Sequence, residues 1–154
     1  MEMRAMATTT SSETAGLATT RLAPGVVGGL AGGVVFGMMM QMMDMIPMVA
    51  MLVGSESAAV GWLVHLAISA VIGAGFTLVL SRFTSTPVVG VLAGAGYGMV
   101  WWVLGPLLLM PAKLGMPLFA FNATTWQSLM GHVIFGMILG GVAVALTRRM
   151  ARPA

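Results

Sequence analysis

GLAGGVVFGMMMQMMDMIPMVAM, residues Gly29–Met51, is apolar over a length that can cross a bilayer. Gly29, Gly33 and Gly37 recur every four residues, so on a helix they form one small ridge. Helical steps carry the ridge on to Gln41 and then Asp44, the two strongly polar side chains of the run. Eight methionines lie between Met38 and Met51. This is the pattern of a membrane helix with one small, polar face turned from lipid. The rest of the chain supplies partners for that face.

Composition agrees. Of 154 residues, 58% are hydrophobic and 7% charged, where a soluble domain carries about 25% charged residues. Four runs reach the ~20 residues that one helix needs to cross hydrocarbon. They are roughly 24–46, 58–80, 87–110 and 125–146. The expected fold is all-α, a bundle of four transmembrane helices over residues 24–147. It lies between a disordered cytoplasmic tail, 1–23, with Thr8–Ser12 in it, and a basic cytoplasmic tail, 148–154. No apolar segment with a cleavage site follows Arg4, so residues 1–21 do not read as a signal peptide. Pro24 and the Thr86–Pro87 pair suit first helical turns. Ser57 suits a cap, and Thr124 with Gln127 has capping-box spacing. Pro47 is expected to kink or end the first span, and Pro106 and Pro111 to bend and close the third.

Charge placement sets orientation. With four spans, Arg4, Arg21, Arg82, Arg148, Arg149 and Arg152 share one side, while Glu56 and Lys113 share the other. The positive-inside rule then puts both termini in the cytoplasm, with Trp126 in an outer aromatic belt. The absence of cysteine removes disulfides, thiolate metal sites and cysteine nucleophiles.

The two halves repeat. A shift of 61 maps Gly29, Gly33, Gly37 and Gly54 onto Gly90, Gly94, Gly98 and Gly115, and Phe36 onto Tyr97. A shift of 67 maps His65, Gly73 and Arg82 onto His132, Gly140 and Arg149. This predicts two parallel two-helix repeats about an axis along the membrane normal. Small stripes mark the packing faces, since lipid removes the hydrophobic drive between helices and close backbones gain dispersion instead. The expected packing ridge is Gly29, Gly33, Gly37, Gly73, Gly90, Gly94, Gly98, Gly136 and Gly140. Gly25, near the span's end, is expected to matter less.

Counting from the arginines places His65 and His132 at one depth, with Gln41 and Trp102 at or just above it and Asp44 higher still. These five residues are the candidate intramembrane polar site. Ionisable groups within spans point to function, yet His and Gln also serve as interhelical hydrogen-bond glue. Imidazole and thioether ligands suit a soft ion such as Cu(I), for which His65, His132, Met38 and Met45 are the candidates. Methionine is equally a flexible core filler. A bis-His haem needs a wide bundle, against which the glycine ridges speak. Neither cofactor is required by the pattern. Paired carboxylates, an oriented nucleophile and a phosphate loop are all missing, so no enzyme is expected. The arginines are explained by topology, so nucleic acid is not an expected partner.

At GWLVH, Gly61–His65, after a Met-rich span ending in MIP, the chain resembles small bacterial and archaeal four-span membrane proteins of unknown function. The likeness covers residues 24–146. It implies a bacterial-type cytoplasmic (inner) membrane and carries no activity and no residue role. Two readings result. The first is a structural or accessory protein of the lipid bilayer, homo-oligomeric or part of a larger membrane complex. The alternative is a transporter or binder of a soft metal ion or small solute through the His65/His132 layer. They part on whether a polar cavity reaches the histidines from outside.

Overall fold

The computed structural model describes the backbone of residues 2–151 and the side chains of residues 22–151. The helices are α1 (Glu2–Met42), α2 (Ile46–Met51), α3 (Ala58–Leu80), α4 (Pro87–Trp102), α5 (Met110–Leu114) and α6 (Ala123–Met150). A 3₁₀ turn, Ser81–Phe83, follows α3, and a π-helical segment, Val103–Leu109, joins α4 to α5. No strand occurs among the described residues. Four stretches are long and apolar enough to cross a membrane: Leu22–Met42, Ala58–Phe83, Pro87–Leu114 and Ala123–Met150. The chain is an all-helical, multi-pass membrane protein. The tail expected to be disordered over residues 1–23 is, from Glu2 on, the first part of α1; its side chains up to Arg21 are outside the described ones, and Arg152 lies outside the described residues. Arg148 and Arg149 belong to the last turn of α6 rather than to a tail.

Glycine sets the order of the helices. Gly25 and Gly29 on α1 face the backbone of Gly73 and Ser69 on α3. Gly90, Gly94 and Gly98 on α4 face the carbonyls of Gly140, Gly136 and His132 on α6. A β-carbon on Gly94 would overlap the Gly136 carbonyl, so only glycine admits this approach. A third seam joins the two pairs. Gly28 and Gly32 look the other way from α1, and a β-carbon on either would come within 2.7 Å of the Leu139 or Phe135 carbonyl oxygen of α6. The lateral order is thus α3–α1–α6–α4, with Phe36, Phe135 and Leu139 in the shared core. Gly25 departs from expectation: it is in the α1–α3 seam itself, against Gly73 and Thr77.

α3 and α4 meet only narrowly, where the Tyr97 hydroxyl donates to the Ile72 carbonyl at 3.0 Å. Arg82 and Arg148 lie at one end, the Arg148 guanidinium donating to the Ser85 carbonyl at 3.0 Å.

Several boundaries move for local reasons. The first span ends at Met42, not near Ile46, because Asp44 adopts the left-handed conformation with φ of 52°. A short polar side chain tolerates that region better than its bulky neighbours do. Pro47 therefore ends nothing; it sits in the first turn of α2, where its missing N–H is not needed. Pro24 lies within α1 rather than at its start. The third span continues past Met110 to Leu114 through the π segment around Pro106. The cap of α6 is Asn122, whose side-chain oxygen accepts from the Thr125 N–H at 3.0 Å, and not Thr124. Thr86 does cap α4, accepting from the Val89 N–H at 3.3 Å, whereas the Ser57 side chain makes no cap bond.

Candidate functional site

The gap between α3 and the α4–π–α5 span becomes a cavity of about 680 Å³ in the half of the bundle away from the arginines. Its walls are mainly apolar: Phe36, Met40, Met45, Met48, Val49, Ile68, Ile72, Trp101, Leu109 and Met110. The polar groups on it are His65, Ser128, His132 and, near the end of α5, Lys113. The π segment shapes one wall. Pro106 has no N–H to give and its ring displaces the carbonyl four residues earlier, so the helix widens there. Gly105 and Pro106 both face the cavity.

Both histidines line this space, and Phe36 stands between them. Its ring meets His65 edge-on at 5.5 Å and His132 at 4.7 Å between centroids. Gly131 makes room for it, since a β-carbon there would run into the Phe36 ring.

The two imidazoles are not equivalent. His65 reaches across to α1, and its Nε2–H donates to the Gly33 carbonyl at 2.9 Å, because a carbonyl can only accept. His132 is tied within its own helix: Nδ1–H donates to the Ser128 carbonyl at 2.8 Å, with the Ser128 hydroxyl also at 3.3 Å. That leaves His132 Nε2 free on the side of Gly105. Among the described residues, the buried side-chain nitrogen or oxygen without a partner is Trp101 Nε1. His132 Nε2 is not sealed in that way; it opens onto the cavity.

The other residues of the expected layer lie elsewhere. Gln41 is exposed, and its side-chain oxygen accepts from Trp62 Nε1 at 3.1 Å, tying α1 to α3. Trp102 is buried on the far side of its helix. Its indole donates to the Thr125 carbonyl at 3.0 Å and stacks on Trp126 at 5.9 Å. Asp44 is exposed and is accounted for by the turn it makes. Met38 is 50% exposed on the outer surface, away from the cavity, whereas Met45 lines it. Met45 and Met48 reach the cavity because the break at Asp44 re-aims α2. No group of three or more His, Asp or Glu side chains is placed to hold a metal among the described residues. His65 Nε2 is engaged by the Gly33 carbonyl, and the Phe36 ring lies between the two imidazoles.

Sequence reasoning missed Gly28, Gly32 and Gly131. The adjacent pairs Gly28–Gly29 and Gly32–Gly33 were the available signal: two small faces on one helix imply two close neighbours.

Fold and site together define a small multi-pass helical membrane protein with a histidine-lined cavity inside the bundle. Comparison of the chain with protein-family models, curated proteins and solved structures finds no match.

Proposed function

We propose that the protein is a non-enzymatic accessory protein of a bacterial-type cytoplasmic membrane that binds a small solute in this cavity. The observation that carries the reading is the cavity itself. Its volume falls in the ~300–1,000 Å³ range of ligand sites, and it is mainly apolar with a few convergent polar groups. The lining supports a solute over a hard or borderline ion, since it offers no carboxylate and no thiolate, and His65 spends its Nε2–H on the Gly33 carbonyl. Both termini are proposed to be cytoplasmic, following the arginines.

The two helix pairs are also proposed to be repeats. Support comes from the seams. Gly25 and Gly29 pack on Gly73 and Ser69 as Gly90 and Gly94 pack on Gly140 and Gly136. In this reading Gly90 corresponds to Gly25, one helical turn from the register that the shift of 61 predicts.

Mass spectrometry of small molecules retained by the purified protein tests the binding reading, with Ala67→Trp, which fills the cavity from α3, as the comparison. A solute carried by the wild type and lost from the folded variant is expected. Equal retention by both would reject the cavity as the site. Stoichiometric copper on the wild type that His132→Ala removes would replace the solute with a metal ion.

A further inference from the structure

We infer that the cavity's ligand is a lipophilic molecule carrying a hydroxyl donor, an alcohol or a phenol, that arrives sideways from the bilayer and gives its O–H to His132 Nε2. This rests on the solute-binding reading above and names the class of solute.

The polarity of the site follows from the hydrogen bonds already made. His132 Nδ1 carries the proton, because it donates to the Ser128 carbonyl. Nε2 of the neutral ring is then a lone-pair acceptor facing the cavity. His65 likewise spends its Nε2–H on the Gly33 carbonyl, so what it can still offer is the Nδ1 lone pair. At the two imidazoles the site therefore presents acceptors and asks for a donor; the Lys113 ammonium, a donor, is on the lining near the end of α5. A plain acyl chain from a neighbouring lipid would fill the walls and leave the acceptor unmet, which is costly away from water. Water fits poorly as well, since a stable buried water needs two to four polar partners and most of this lining is hydrocarbon and thioether. A carbonyl or ether offers lone pair to lone pair. A hydroxyl matches.

The route follows from exposure. Ile68 and Val71 on α3 line the cavity and are 40% and 71% exposed, and Leu109 across the gap is 56% exposed. These side chains lie within the spans, so the mouth between them opens onto lipid rather than water. Lys113, exposed near the end of α5, works against a cationic ligand by like-charge repulsion.

The test uses the full chain in lipid nanodiscs and two photoprobes: a hexadecanol with a diazirine in its chain, and its methyl ether, which has the same apolar body without the donor. The alcohol is expected to label the cavity wall and to bind about five- to tenfold better than the ether, the usual net worth of one hydrogen bond. His132→Leu should erase that preference by weakening the alcohol alone. Ala67→Trp should weaken both probes. Equal binding of alcohol and ether to the wild type would overturn the donor inference while the cavity remains a binding site. Failure of both probes to label the wild type, or undiminished labelling of folded Ala67→Trp, would overturn the binding reading with it. The alcohol–ether comparison needs no variant, so it decides the donor question even if His132→Leu does not fold.

Discussion

His65 belongs to a packing device. Gly61 lets the Ile46 carbonyl of α2 come close, Trp62 covers Gly37 and bonds Gln41, and His65 bonds Gly33. The whole Gly-Trp-x-x-His run is thus spent on holding α3 to α1 and α2. His132 has the same place in the sequence pattern and a different bond, because its proton goes to its own helix. The sequence shows two equivalent histidines; which ring nitrogen each one spends depends on the carbonyl it meets, and that is set only when the helices pack. His65→Leu should therefore lower stability in a detergent unfolding assay by ~1 kcal/mol, the scale of a polar contact between spans. His132→Leu should change stability less and ligand retention more. Equal losses of stability would mean the two imidazoles have one role. Glycines divide in the same way. Gly25→Leu and Gly94→Leu both drive a side chain into a facing backbone and should each cost ~1–3 kcal/mol by overpacking. Gly96→Leu on α4 meets nothing within 4 Å and should be mild. Similar unfolding midpoints for all three would remove the glycine seams as the basis of the bundle.

At the scale of elements, the breaks matter more than the helices. Spans were legible because length and apolarity are local properties, and Thr86–Pro87 announced a helix start that Thr86 does cap. The methionine run was not legible. A three-residue step drifts around one continuous helix, but the chain turns at Asp44, and so Met45 and Met48 enter the cavity while Met42 stays 86% exposed. Nothing local in the run distinguishes a kink at Pro47 from a left-handed residue three positions earlier. Asp44→Asn and Asp44→Gly should both be tolerated, since either adopts positive φ readily. Asp44→Val should destabilise by ~1–2 kcal/mol in the same unfolding assay, the cost of a left-handed conformation for such a residue. Loss of ligand in Asp44→Asn with stability unchanged would instead give the carboxylate a role of its own. The π segment is the second break. Pro106→Ala restores an N–H and removes the ring, so the span can regularise and its cavity wall should shift. The chain has no cysteine, so a single Leu109→Cys probe reports cleanly. Its labelling rate by a lipophilic maleimide should fall when Pro106→Ala is added, and an unchanged rate would mean the widened turn does not shape the cavity.

For the whole molecule, the number of spans was legible because it is a sum over the chain, and of the six arginines expected on one side Arg82, Arg148 and Arg149 are described at one end. The sequence did not carry the order α3–α1–α6–α4. A glycine ridge says that a helix has a close neighbour and not which one, and the open flank between α3 and α4 appears only once the other three seams are assigned. That flank is what weakens the argument from glycine ridges to a uniformly narrow bundle. The position of the cavity then joins topology to ligand access. It lies toward Lys113 and away from Arg82 and Arg148, and the positive-inside rule assigns the arginine end to the cytoplasm. The cavity mouth should therefore open into the outer leaflet. Single cysteines in the cysteine-free chain test this in intact cells with a membrane-impermeant maleimide. Lys113→Cys, exposed at the end of α5, should react from outside, while Arg82→Cys, exposed just after α3, should react only after the cells are opened. The reverse pattern would turn the molecule over and place the mouth in the inner leaflet. Reaction of both from outside would contradict an antiparallel set of four spans altogether.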